Sequence, residues 1–418
     1  MIFARAVCAD SSGELDLAFE RMGLPTPARE YLAERIPQFQ VLLTGLSRAE
    51  GVLLKSLVDR SNAPGREEYP AFAPGDQRTR PGTALVSGRK DQLERLVALA
   101  RKEGLEELAV ALSLVVEPSS PPPLTLGKRT FRWGERTYVM GVVNVTPDSF
   151  SDGGRFLDAD AAIAHGQELA QAGADILDVG GESTRPGAAK VSADEELARV
   201  LPVIRGLRSR VGEVPISIDT TKAKVAQAAL EAGASLVNDI SGFQFDPELP
   251  RVVAQAKAAC CLMHIRGTPE TMQKEPRYDD VVEEVLVFLS DAVARAEGQG
   301  IPRERILVDP GIGFGKTLGH NLFLLRRLQD LRLLGLPVLV GTSRKSFLGQ
   351  LTGGKPPTER LAASIGSVAA VAALGGADVV RVHDVSEVRD ALAVADAIGH
   401  AKDGGALFGR LAERGAGS

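Results

Sequence analysis

The chain has 418 residues, 44% of them hydrophobic and 25% charged, with a net charge of −5, enough to bury one large core and a smaller one but without a field that would gather nucleic acid or an anionic membrane. Three cysteines, Cys8 and the neighbours Cys260 and Cys261, suggest neither a disulfide framework nor a zinc site. The start, MIFARAVC, is too short in apolar residues for a signal peptide and no apolar run approaches about 18 residues, so a cytoplasmic protein is expected, neither exported nor membrane-spanning.

Residues 1–116 alternate helix-like runs, Ser47 to Asp59 and Lys90 to Lys102, with short apolar segments, Phe39 to Thr44 and Thr83 to Ser87. The first run opens on Ser47 with Glu50 three places on, the spacing of a capping box. A small α/β domain is expected here, its Asn62 to Pro81 interval, rich in Pro, Gly and Arg, being exposed. Residues 117–127, which contain EPSSPPP, read as a Pro-rich linker because prolines favour extended backbone. Residues 128–400 then form a second domain and 401–418 a tail.

From Tyr138 the period changes. YVMGVVN, ILDVGG, PISID, SLVND, CLMH, ILVD, PVLVG and DVVRVH are strand-like, and most of the intervals between them hold one amphipathic run of helix length. Eight βα units in roughly 250 to 280 residues is the size of a (β/α)8 TIM barrel; an evenly punctuated series of this kind is unusual for a doubly wound open sheet.

Such barrels collect their functional groups at the C-terminal strand ends. Polar residues stand there in order: Asn144; Glu182 with Thr184 and Arg185; Asp219; Asn238 with Asp239; His264; Asp309; Ser343 to Ser346; and Arg381 with His383. Strand ends are often polar, but so complete a set points to a shared polar ligand. Two carboxylates, an amide and a lysine could read a flat heterocycle with an amidine-like edge, since a carboxylate accepts two parallel N–H bonds; a pterin has such an edge. Arg381, His383 and Asn144, from units eight and one, would form an anion pocket for a phosphate or diphosphate. GIGFGKT, Gly311 to Thr317, is not a phosphate loop, because Pro310 stands where the first glycine is required and Lys316 fills the last slot of GxGxxG. Its glycines read as turn and close-packing residues. The loops Val145 to Gly154 and Ser183 to Ala188 have the composition of segments that order over bound substrates.

Taken together, MGVVNVTPDSFSDGG, DVGGESTRPGA, IDTTKAKVA, VNDISG, MHIRGTPETMQ, DPGIGFGK, SRKSFLG and RVHDV resemble the dihydropteroate synthases over the whole barrel. The resemblance implies condensation of 6-hydroxymethyl-7,8-dihydropterin diphosphate with para-aminobenzoate, releasing pyrophosphate with Mg²⁺ present. It also implies that Asp309, Asn238, Lys345, Asp219 and Met263 hold the pterin. Asn144, Arg381 and His383 would hold the diphosphate, Asn144 also serving Mg²⁺. Thr184, Arg185, Pro186, Ser346, Phe150 and Phe314 would line the aminobenzoate pocket, which sulfonamides occupy in that family. Asp219, Lys345, Arg381 and His383 would then carry catalysis, and a homodimer is expected. Departure of diphosphate from a CH₂ on an electron-rich dihydropterin suits a dissociative path. The rivals are a methyltetrahydrofolate:corrinoid methyltransferase, which has no diphosphate to expel, and a non-catalytic pterin-binding paralogue, whose mark would be loss of Asp219, Lys345, Ser346 or Arg381; all four are present. The role of residues 1–116 is not legible.

Overall fold

The computed structural model describes residues 39–43, 45–61, 71–74, 82, 84–116, 120–145, 155–184 and 190–400. They fall into two compact units that divide between Ser119 and Ser120. In the first, strands β1 (Phe39–Leu43), β2 (Ala71–Pro74) and β3 (Ala84–Gly88) form an antiparallel sheet in the order β1-β3-β2. Helices Arg48–Ser61, Lys90–Lys102 and Glu106–Val116 contribute Leu54, Leu57, Leu93, Leu96 and Leu112 to a core with Val41 and Val86. The capping box is present: Ser47 N donates to Glu50 Oε2 at 2.7 Å, and Glu50 N to Ser47 Oγ at 3.2 Å. Strand β2 lies inside the Asn62 to Pro81 interval, where the sequence offered no strand: a four-residue strand ending on proline carries too little pattern to be seen.

The second unit opens with a hairpin, β4 (Leu124–Leu126) and β5 (Arg129–Phe131). Residues 124–127 are therefore not linker. Eight parallel strands follow: β6 (Tyr138–Asn144), β7 (Ile176–Gly180), β8 (Ile216–Asp219), β9 (Leu236–Asp239), β10 (Ala259–Met263), β11 (Ile306–Asp309), β12 (Leu339–Val340) and β13 (Val379–Val382). Their order is sequential around the sheet, with β13 beside β6, and a bridge between Val308 and Val338 joins β11 to the start of β12. This is the (β/α)8 barrel. Among the described residues no helix is long and apolar enough to cross a membrane.

Alternation along the strands sorts the two faces. Leu177, Val179, Ile218, Val237, Cys260, Leu262, Val308 and Val380 pack outward in the layer shared with the helices. Met140, Ile176, Leu236, Cys261, Leu307, Leu339 and Val379 point inward near the strands' N-terminal ends, where Leu124, Leu126, Phe131 and Trp133 of the hairpin region close the floor. Further along most of these strands, β10 with Met263 excepted, the inward position becomes polar, and the site begins.

Candidate active site

Counting by twos from the apolar floor reaches Asn144 on β6, Asp178 on β7, Asp219 on β8, Asn238 on β9, Met263 on β10, Asp309 on β11 and Arg381 on β13. The strand register sets Asp219 opposite Asn238 and Met263 opposite Asp309. The polar set thus shares one end of one barrel.

Hydrogen bonds tie its centre together. Arg381 donates from Nε to Asp178 Oδ2 at 2.6 Å and from Nη2 to Asp219 Oδ2 at 2.7 Å, and Asn238 Nδ2 donates to the same Asp178 oxygen at 3.0 Å. On β11, Asp309 Oδ1 accepts from Gly311 N at 2.7 Å. Gly311 is required there: its φ is 66°, and a Cβ would stand 1.9 Å from the His264 carbonyl oxygen. The glycines of GIGFGKT are turn and packing residues, as their spacing suggested.

Lys345 follows Arg344, a non-glycine residue at φ 58° that is secured by an ion pair to Asp384 and by Arg344 N donating to Ser364 Oγ at 2.9 Å. A backbone in this region costs about 1 to 3 kcal/mol and needs such support. Lys345 Nζ donates to the Ile312 carbonyl and lies 4.9 Å from the centre of the Phe314 ring. Phe314 packs in turn on an apolar cluster of Ile240, Met263, Ile265 and Met272 beside the polar ring.

Burial shapes the charges. It pushes the Asp219 carboxyl up to about 7 against the opposing pull of Arg381, with Asp178, Glu196 and Asp239 adding to the rise. Burial also raises Asp309, opposed by Lys345, and lowers Lys345 to about 8, opposed by Asp309. Arg381 is disfavoured as a cation by burial, but Asp178 and Asp219 outweigh this and hold it charged.

Several strand-end residues are structural. Asp239 faces the opposite way from Asn238 and accepts from Ser241 N at 2.9 Å and Phe243 N at 2.6 Å, capping the next turn. His264 is buried with Nδ1 2.8 Å from Lys316 Nζ, and burial followed by the Lys316 charge lowers it to about 2. Glu182 and the buried Glu196 both accept from Lys222, at 2.6 and 2.5 Å. His383, one residue past β13, lies with Nδ1 3.0 Å from Ser343 Oγ, and β13 pairs with β6, which carries Asn144. Thr184 is half-buried after β7, and Ser346, exposed, begins helix Ser346–Leu351. Phe150, Arg185 and Pro186 lie outside the described residues. The sequence reading passed over Asp178, although a charged residue inside an apolar parallel strand is itself a signal.

A hard cation takes oxygen ligands, and Mg²⁺ commonly combines one or two protein oxygens with substrate phosphates. The Asn144 amide fits that pattern only with an anion supplying further oxygens. Among the described residues no group of three or more His, Cys, Asp or Glu could hold a metal by itself.

The pattern that defines the pterin-binding enzymes matches residues 140–383, from β6 to His383. A dihydropteroate synthase from Synechocystis is 52% identical over 278 residues, 66% of this chain and 96% of that protein. The chain belongs to the dihydropteroate synthase family. Two structures of the dihydropteroate synthase of Xanthomonas albilineans agree. One, with 4-aminobenzoic acid, is 46% identical and has a TM-score of 0.62, covering 67% of this chain and 98% of that one. The other, with 7,8-dihydropteroate, is 44% identical with a TM-score of 0.60, covering 66% and 98%. A dihydropteroate synthase is a transferase, and the residues matched by the family pattern, 140–383, lie within the barrel unit.

Proposed function

We propose that the barrel condenses 6-hydroxymethyl-7,8-dihydropterin diphosphate with para-aminobenzoate to give 7,8-dihydropteroate and pyrophosphate, by a dissociative displacement. The observation that carries this reading is the convergence of Asp178, Asp219, Asn238 and Arg381 in one hydrogen-bonded group, with Asp309 and Lys345 adjoining it electrostatically. Asp309 and Asn238 take the N–H edge of the ring, with Lys345 beside it and Met263 on its apolar side. Arg381, His383 and Asn144 take the diphosphate. Asn144 would also hold Mg²⁺, which when bound with the diphosphate supplies charge for the leaving group.

As the C–O bond to diphosphate lengthens, positive charge grows on the CH₂ and spreads into the ring. Asp219 is placed to meet a charge that exists only near the transition state, where fixed electrostatics accelerate a reaction. The aminobenzoate amine then forms the C–N bond and gives up one N–H proton to solvent, without needing an activated side-chain nucleophile. Thr184, Ser346 and Phe314, with Arg185, Pro186 and Phe150 from the two loops, are assigned to the aminobenzoate. A homodimer and a cytoplasmic location complete the reading.

The test is pyrophosphate release by purified protein with Mg²⁺. Release is expected only when both the pterin diphosphate and para-aminobenzoate are supplied. Folded protein that binds the pterin but releases nothing would instead be a non-catalytic paralogue.

A further inference from the structure

Asp178 is fully buried, in the middle of β7, with Ile176 of the apolar floor two residues before it and Gly180 at the strand end two residues after. Its Oδ2 accepts both from Arg381 and from Asn238, while its Oδ1 is buried without a hydrogen-bond partner in the protein. A carboxylate at this depth is unfavourable unless a cation matches it, and Arg381 is the cation it meets. Arg381 has two such partners, and they differ in position. Asp178 takes Nε from the barrel interior with no exposed side-chain surface, whereas Asp219 takes Nη2 from the strand end and keeps a fifth of its side chain exposed. An anion arriving at the barrel mouth competes for the outer contact before the inner one.

We propose that Asp178 is a positioning residue, which anchors Arg381 and Asn238 from beneath while the outer edge of Arg381 passes from Asp219 to the diphosphate of the substrate, leaving Asp219 to face the developing cation. The inference rests on the condensation reading above. Asp178 touches no reacting atom in it; it acts through the arginine, whose guanidinium has separate edges for the two partners. Asp219 is thereby neutralised by Arg381 in the free enzyme and released by the substrate whose reaction needs its charge.

The experiment is a double-mutant cycle of Asp178→Asn and Arg381→Ala, with steady-state kinetics and with pyrophosphate and Mg²⁺ as the binding probe. Asp178→Asn is expected to weaken pyrophosphate binding and lower kcat/KM for the pterin diphosphate by about tenfold or more, with KM for para-aminobenzoate changed by less than about twofold. In the Arg381→Ala background the same substitution should cost less than about threefold, because the group through which Asp178 acts is gone. Equal losses in both backgrounds would overturn the proposal. A crystal structure of the wild-type protein with pyrophosphate and Mg²⁺ needs no variant to fold. It should show Nε still on Asp178 and Nη2 turned from Asp219 to the anion; Arg381 departing from Asp178, or keeping Asp219, would refute it. Wild-type turnover measured alongside separates the outcomes, since its failure sinks the condensation reading and an additive cycle in an active enzyme sinks only the role of Asp178.

Discussion

Asp219 and Lys345 have opposite tasks in one pocket, and their environments set the pH window in which both are charged. With Asp219 near 7, acidification protonates it and removes the negative charge that would meet the developing cation. With Lys345 near 8, alkali removes its proton and leaves Asp309 with less compensation. Kcat/KM for the pterin diphosphate, which reports the free enzyme, is therefore expected to be bell-shaped, falling below pH about 7 and above about 8. Lys345→Arg should carry the alkaline limb out of range, because arginine stays protonated, while leaving the acid limb in place. A profile from about pH 5 to 10 for the two proteins decides this, and an alkaline limb that survives unmoved in the variant would reassign it. At this scale the sequence was informative wherever a polar residue stopped an apolar strand, as Asp219, Asn238 and Asp309 do. Asp178 stops nothing. It sits mid-strand in ILDVGG, and only its parity with Ile176 and Gly180 shows that it enters the barrel. His264 stood at a strand end too, and its burial against Lys316 could not be seen from the letters.

Between elements, the Lys222 network joins the loop after β7 to helices Ala193–Arg208 and Ala223–Glu231. Lys222 is the residue just before the second helix, and its ammonium reaches Glu182, whose other oxygen accepts from Val191 N at 2.9 Å. Its second partner, Glu196, is wholly buried on the first helix with Oε1 unpartnered. Removing the cation leaves a buried carboxylate with no match, so Lys222→Met is expected to destabilise the protein by about 3 to 5 kcal/mol. Adding Glu196→Gln should recover most of that loss, because the charge left behind is removed with it. Chemical denaturation of the two variants measures both steps; a double variant as unstable as the single one would show that packing, not charge, sets the effect. The eight strands themselves were readable because parallel strands covered on both faces are nearly continuous apolar runs between turn signals. The pairing of Lys222 with Glu182 and Glu196 was not readable, since it depends on how neighbouring units lie side by side in the closed barrel.

For the whole molecule the boundary between the units makes a sharp demand on where the chain can be cut. The sequence placed the start of the barrel domain at residue 128, because prolines precede it and a three-residue strand leaves almost no periodic signal. The structure begins earlier, with Leu124 and Leu126 at 2% and 1% exposure in the floor of the barrel and β4 paired to β5. Trp133 Nε1 donates to the Pro122 carbonyl at 2.9 Å, tying even the Pro-rich run to this floor. Burying each leucine contributes about 1.5 to 3 kcal/mol, so the two supply a large part of the roughly 5 to 15 kcal/mol that holds a typical domain together. A chain starting at Ser120 keeps every described site residue and the intact floor, and should turn over with kcat within about twofold of the full protein. One starting at Lys128 keeps the same site residues but exposes the apolar layer of Met140, Ile176, Leu307 and Val379. It should melt at least about 6 °C lower than the Ser120 chain, since 1 kcal/mol corresponds to roughly 2 to 4 °C at this size. Equal melting temperatures would mean that the hairpin contributes nothing to the floor. Loss of turnover in the well-folded Ser120 chain would show that catalysis requires the first unit.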